Sequence, residues 1–373
     1  MNVNIKKIPY VNLGAQWEKE HPKLSPIIER VLKGGQYVGG EEISRFERSI
    51  ARYCNVKYAV AINSGTDALT LALHLVGVKS GDEVITPPNS FIASTAAIVH
   101  LGAKPVFVDV LADQNINPEL IESRITEKTK AIMPVHLTGR MADMKSIMSI
   151  ARQYDIPVIE DAAQAIGSRY CSEPSGSIGK VGCFSTHPLK NLNACGDGGF
   201  ITTNDEVIFE GAKILRNHGL IDRNTVAEFG FVSRMDVLQA AILNYRLTKL
   251  ASTIDIRRKN ANFYMNHLNQ EFVFFPPEQS WEYNTYHTFV IQVGKRDKLN
   301  RALAESGIET AMHYPVPIHL QPAAKKFGYK LGDFPVTEKQ SECILTLPIH
   351  QFLTEANLAR ITSAINAFYQ NSS

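Results

Sequence analysis

Through the middle of this chain, short continuous apolar runs alternate with longer stretches whose apolar positions recur at helical spacing. EVITPP, from Glu83, predicts a strand, SFIASTAAIVHLG a helix, and PVFVDV, from Pro105, a second strand. PELIESRI reads as helical, AIMPVH from Ala131 as a strand, ADMKSIMSIARQYD as an amphipathic helix ending at Asp155, and PVIED as the next strand. Apolar strands separated by helices imply crossover units, and hence a mostly parallel sheet covered on both faces. The α/β pattern spans residues ~56–205.

Beyond Asp205 the order changes. EVIFEGAKILRNHG and RMDVLQAAILNYRLTKL predict helices, and Ile254 to Leu268 continues helically with its charges on one side, so a long helix is expected around 235–268. FVFFPP and HTFVIQV follow as strands, then helices at DKLNRALAESG and TEANLARITSAINAFY. This order suits a smaller α+β domain packed beside the first. The proline-rich HYPVPIHLQP and TLPIH segments are expected to be turns or loops, because proline removes a backbone donor.

Composition narrows the class. With 373 residues, 44% hydrophobic and 20% charged, the chain can bury a large core, and its net charge of +2 calls for neither nucleic acid nor an anionic membrane. Five cysteines, odd in number and without a CxxC pair, fit a reducing compartment and argue against structural zinc. The N-terminus lacks the apolar core of a signal peptide, and no apolar run is long enough to cross a bilayer. A cytoplasmic protein without a metal is expected.

Three places can carry chemistry. Asn63-Ser64-Gly65-Thr66-Asp67 follows the apolar YAVAI and opens a helix, where a glycine turn and free N–H groups suit a phosphate; N-capping by Ser64 or Thr66 accounts for the same residues. Neither common nucleotide fingerprint, GxGxxG or GxxxxGK[ST], occurs here. Asp161 ends PVIED, at the carboxyl end of a strand where open α/β sheets bind ligands; simple capping of the next helix is the alternative. Lys190 lies in FSTHPLKNL between an apolar strand and a GDGGF turn, a setting unlike that of an ordinary surface lysine, although taken alone a surface or salt-bridged lysine is the better reading. His187, in the same block, reads first as a structural histidine and only second as an acid–base group. In this order and spacing, a phosphate turn, an Asp after a strand and a Lys about thirty residues on match a fold-type I enzyme using pyridoxal phosphate (PLP).

SGTDAL, GDEVITPPNSFIAS, IEDAAQAIGS, FSTHPLKNLNACGDGG, GFVSRMDVLQAAIL and HYPVPIHLQPA together resemble the DegT/StrS family of nucleotide-sugar aminotransferases, from about Pro9 to the C-terminus. The resemblance implies an aspartate-aminotransferase-like α/β fold, with a large PLP-binding domain over residues 1–250 and a small α+β domain over 251–373. It implies Lys190 as the Schiff-base lysine and proton shuttle, Asp161 as partner of the pyridine nitrogen, and Gln164 near the ring's phenolic oxygen. Gly65, Thr66 and Ser185 match phosphate contacts, and Phe91 an aromatic ring stacked on the cofactor. In the HYPVPIH loop, Tyr314 and His319 are candidates for contact with substrate, beside His313. A homodimer with active sites at the subunit interface is implied as well. The family's cross-subunit Asn, in a G(Y/F)NSR-type segment, is Val232 here, in Gly230-Phe231-Val232-Ser233-Arg234, which leaves Arg234 to supply the charge. The expected reaction moves an amino group from an amino acid, by family habit glutamate, to a keto-6-deoxyhexose on dTDP or UDP, for the amino sugars of surface polysaccharides or natural products. A PLP-dependent sugar dehydratase, which carries histidine in place of the lysine, and a non-catalytic regulatory protein on the same fold are the alternatives.

Overall fold

The apolar runs become short strands with both faces buried. In a computed structural model that describes residues 7–371, β1 (Tyr58–Ile62), β2 (Glu83–Thr86), β3 (Lys104–Phe107), β4 (Thr129–Ile132), β5 (Ile159–Asp161), β6 (Val181–Ser185) and β7 (Gly199–Thr203) form the central sheet. One layer runs β1-β7-β6-β5 and the other β3-β2-β4. Parallel bridges Ile132–Val158 and Val135–Asp161 join them into one sheet ordered β1-β7-β6-β5-β4-β2-β3. Only β7 runs against its neighbours. The carboxyl ends of the other strands therefore share one edge, where ligands bind in open sheets of this kind.

Helices cover both faces. The helices α1 (Leu13–Gly34) and α2 (Glu41–Tyr53), which the strand–helix alternation does not announce, precede the sheet, and α3 (Gly65–Leu75), α4 (Ile92–His100), α5 (Met144–Gln153), α6 (Glu206–Leu215) and α7 (Val237–Leu247) pack against it. Along α2, Ile43, Phe46 and Ile50 recur at helical spacing and are buried against Phe200 and Leu243. Glu47 on the same helix accepts the Ala61 N–H at 2.9 Å and pairs with Arg216 at the end of α6, so two helices are locked to β1 by one carboxylate.

The C-terminal part has its own antiparallel sheet, β8 (Val273–Phe274), β9 (Phe289–Val293) and β10 (Ile344–Leu347), in that order. Helices α8 (Leu250–His267), α9 (Arg296–Glu305), α10 (Pro335–Cys343) and α11 (Glu355–Gln370) accompany it. Tyr264, Ile291, Leu345 and Ile361 centre its core, and Ile8 from the other end of the chain joins them. Ile8 bridges to Ile308, the Tyr10 N–H donates to Glu309 at 3.1 Å, and His350 Nε2 lies 3.1 Å from the Pro9 carbonyl.

Three expectations are corrected. The single helix over 235–268 is two, α7 and α8, separated by a turn at Thr248–Lys249 where the Thr248 hydroxyl donates to the Tyr245 carbonyl. PELIESRI is not an α-helix but two 3-10 turns, Pro118–Leu120 and Glu122–Arg124, closed by i to i−3 bonds, with the chain extended again at Ile125. TLPIH is not wholly loop: Thr346 and Leu347 complete β10, and Pro348 ends it. Among the described residues, no helix is long and apolar enough to cross a membrane.

Candidate active site

A cavity of about 430 Å3 opens at the shared carboxyl edge of the strands. Gly65, Thr66, Phe91, Asp161, Gln164, Ser185, Lys190 and Tyr314, eight of the residues singled out from the sequence, all line it. His319 does not. Its ring is buried edge-on against Phe334, with Nε2 2.9 Å from Glu338, so it braces the loop that carries it.

One end of the cavity is built for an anion. β1 runs through Asn63 into α3, with Ser64 as N-cap accepting the Asp67 N–H at 3.1 Å. The amides of Gly65 and Thr66, one turn earlier than any intrahelical acceptor, are left for a ligand, and the helix dipole favours negative charge there. Ser185, last residue of β6, stands across from them. A Cβ on Gly65 would lie 2.7 Å from the Ser185 Cβ, and one on Gly199 would lie 2.5 Å from the Ser64 carbonyl carbon. Only glycine lets these segments approach so closely.

At the floor, Asp161 ends β5, buried. Its carboxylate accepts the Ser94 hydroxyl at 2.6 Å and the Ala163 N–H at 3.2 Å. Burial still raises its pKa, opposed by these bonds and by the charges of Lys190 and His136. Such a carboxylate is held ready for a cation between neighbours that do not supply one in contact. Glu160, one residue earlier on the opposite face of the strand, does have partners: His136 at 2.9 Å and the N–H groups of Gly176, Ile178 and Gly179.

Lys190 lies half-buried in the loop between β6 and β7. Neighbouring asparagines fix it: Asn191 donates to the Thr285 carbonyl at 3.2 Å, and Asn193 to Pro188 at 2.9 Å and to Gln16 at 3.0 Å. Burial pushes the Lys190 ammonium down to about 8, and Asp161 pulls the other way. Gln164 accepts the Thr138 N–H at 2.9 Å and donates to the Tyr314 hydroxyl at 3.3 Å, while Tyr314 and Phe91 rings lie 5.8 Å apart at the mouth. His187, on the same loop as Lys190, is exposed and accepts the Leu189 N–H.

The residues fit PLP. An anion end, a buried carboxylate without a contacting cation and a lysine of lowered pKa surround one cavity, with an aromatic ring free to stack at its edge. Sequence reasoning missed Tyr10, Ser94, Arg257, His287 and His350, which also line it. Ser94 shares the SFIAS block with Phe91, but the others come from remote segments that carry no local signal. Val232 and Arg234 are not part of their own chain's cavity; Arg234 donates to the Asn217 side chain at 3.0 Å, and Ser233 to Asn63.

Fold and cavity together are those of a fold-type I PLP-dependent enzyme. Residues 19–366 match the DegT/DnrJ/EryC1/StrS aminotransferase family, and the chain belongs to it. It is therefore a PLP-dependent aminotransferase. It is 39% identical to the dTDP-3-amino-3,6-dideoxy-alpha-D-galactopyranose transaminase of Aneurinibacillus thermoaerophilus, over 97% of this chain and 99% of that one. It is also 39% identical to a pleiotropic regulatory protein of Geobacillus stearothermophilus, over 98% and 99%. The solved structure of S. venezuelae DesV in complex with a ketimine intermediate superposes with a TM-score of 0.95 at 37% identity, covering 97% of this chain and 98% of that chain.

Proposed function

We propose that this chain moves the amino group of an α-amino acid, glutamate for preference, to a keto-sugar carried on dTDP or UDP, with Lys190 as the residue that binds the cofactor and carries the proton. The single observation behind this reading is that Lys190 and Asp161 line one cavity with the anion end formed by Gly65, Thr66 and Ser185. When bound, PLP supplies an aldehyde that exchanges amines and a ring that takes up electrons from the substrate carbon. The protein does the rest. At neutral pH a lysine near 8 keeps an appreciable free-amine fraction, so Lys190 can both attack a carbonyl carbon and take a proton from the carbon beside the amine. Asp161 would hold the pyridine nitrogen protonated, Gln164 would face the ring oxygen, and Gly65, Thr66 and Ser185 would anchor the phosphate.

A 3- or 4-keto-6-deoxyhexose is the proposed acceptor, which places the enzyme in amino-sugar synthesis for surface polysaccharides or natural products. A transaminase for a dTDP-linked 3-amino sugar among the relatives supports the sugar class. The regulatory name of the Geobacillus relative describes that protein; here Lys190, Asp161 and Gln164 are all present around one cavity. A lysine at position 190 also speaks against the dehydratase alternative. The test is incubation of the yellow holoenzyme with glutamate and a panel of nucleotide keto-sugars, reading amine incorporation by mass. Loss of a sugar hydroxyl without a new amine overturns the reading.

A cytoplasmic homodimer completes the proposal. Phe229, Ile221, Phe231 and Val232 are exposed in one segment, from 99% for Phe229 to 41% for Phe231, more apolar surface than a loop of a monomer keeps. Arg234 would then act only on the partner's cofactor. Light scattering should give twice the 41.4 kDa chain mass, and Arg234→Ala should weaken cofactor binding; a monomer that binds cofactor as tightly without Arg234 refutes the arrangement.

A further inference from the structure

Among the described residues, no carboxylate neutralises the charge of Arg257. Three arginines of the described residues are buried: Arg140, Arg246 and Arg257, at 6%, 7% and 7% exposure. Arg140 pairs with Glu282 at 2.9 Å and Arg246 with Glu20 at 2.8 Å. Even the neighbour of Arg257 on α8, the half-buried Arg258, has Glu278 at 2.7 Å. Arg257 has only two backbone carbonyls, those of Tyr286 at 3.2 Å and His287 at 3.1 Å, both taken by Nη1, while its Nε has no partner. A desolvated guanidinium without a counter-ion is costly unless something outside the chain supplies one.

Its position says where that something lies. Arg257 lines the main cavity and, with Lys190, a small annex of about 20 Å3 at its side. Tyr10, His287 and His350 feel its charge, and burial holds both imidazoles neutral and the phenol protonated. His287 Nδ1 is also without a partner. This end of the cavity therefore presents donors and positive charge. Asp161, the carboxylate beside Lys190, is already committed to the cofactor ring in the proposed reaction.

We infer that Arg257 binds the α-carboxylate of the amino-acid donor and sets its amine against Lys190, an assignment that rests on the proposed donor being an α-amino acid. A guanidinium suits a carboxylate because its planar fork gives two parallel hydrogen bonds. Size selects the amino acid over the nucleotide. At about 430 Å3 the cavity is near the low end for one drug-sized ligand. Once the cofactor is in place, an amino acid fits wholly inside, and a nucleoside diphosphate must project through the mouth, away from a buried arginine.

The ping-pong order separates the two substrates. Holoenzyme is mixed with L-glutamate in one half-reaction, and enzyme loaded with pyridoxamine phosphate is mixed with the accepted nucleotide keto-sugar in the other, each followed by cofactor absorbance. Arg257→Gln should lower kcat/KM for L-glutamate about tenfold to a hundredfold, and leave the sugar half-reaction within about threefold. The preference for L-glutamate over 4-aminobutyrate, which lacks the α-carboxylate, should shrink by the same factor. Binding of the unreactive glutarate, read by the shift in absorbance, should weaken in parallel. Arg257→Lys should recover part of the loss, and it decides by the same ratio if Arg257→Gln fails to retain cofactor. Equal losses in both half-reactions, or an unchanged preference over 4-aminobutyrate, overturn the assignment. If the wild-type holoenzyme accepts an amine from no amino acid, the functional proposal fails instead.

Discussion

Lys190→Ala is expected to lower turnover about 10^3-fold or more, the loss usual when a proton-transferring group is removed, while the protein folds as before. Nothing structural hangs on the Nζ: the loop is fixed by Asn191, Asn193 and the Thr186 backbone bonds to Ala194 and Gly198. Borohydride reduction of wild-type holoenzyme should place a pyridoxyl group on the peptide containing Lys190, and none on the variant. The pH dependence gives a sharper readout. The neutral amine is the form that attacks, and its fraction rises as pH rises through the pKa. Capture of PLP by cofactor-free protein should therefore accelerate through about pH 8 and level off above it, well below the range of an unperturbed lysine near ~10.4. A rate still climbing steeply at about pH 10, or an adduct on another lysine, would remove Lys190 from its role.

Asp161→Asn should lower turnover by about 10^2–10^3-fold, the range seen when one preorganised electrostatic group is lost. A neutral amide can still accept the Ser94 hydroxyl but cannot hold a pyridine nitrogen protonated, so the ring loses its capacity to take up electrons. The adduct on Lys190 should still form, which separates this defect from that of Lys190→Ala. Because the Asp161 charge raises the Lys190 pKa against burial, its removal should move the capture profile to lower pH. A profile shifted upward, or turnover within a few-fold of wild type, would refute the assignment.

Strands such as YAVAI are buried on both faces from Ala59 to Ile62, so these residues are uniformly apolar and stand out in the chain. The candidate site was legible in part because Asp161 and Ser185 end strands, while Gly65 opens the helix after β1 and Lys190 follows Pro188 in the loop after β6. The break at Thr248–Lys249 was not. Leu243, Arg246, Leu250, Ile254 and Arg257 are all buried at spacings of three or four, so the apolar face continues across the turn and no glycine or proline betrays it. Arg257 was hidden for a related reason: a charged residue on an amphipathic helix reads as solvent-facing, and only the tertiary fold turns it inward. PELIESRI has helical composition, but Pro118 at its start and the return to extended backbone at Ile125 leave room for single turns only.

The segment that brings Tyr10 to the cavity is held by Ile8 pairing with Ile308 and Tyr10 with Glu309, partners 300 and 299 positions away, and Pro9 meets His350 across 341 positions. Because a ribosome emits the amino end first, this wall of the pocket must wait, unpaired, until Ile308, Glu309 and His350 have been made. A polypeptide grown just past β7 can assemble its central sheet yet has no closed chamber for a coenzyme. Yellow colour in a freshly translated sample thus reports a chain that has grown at least as far as His350.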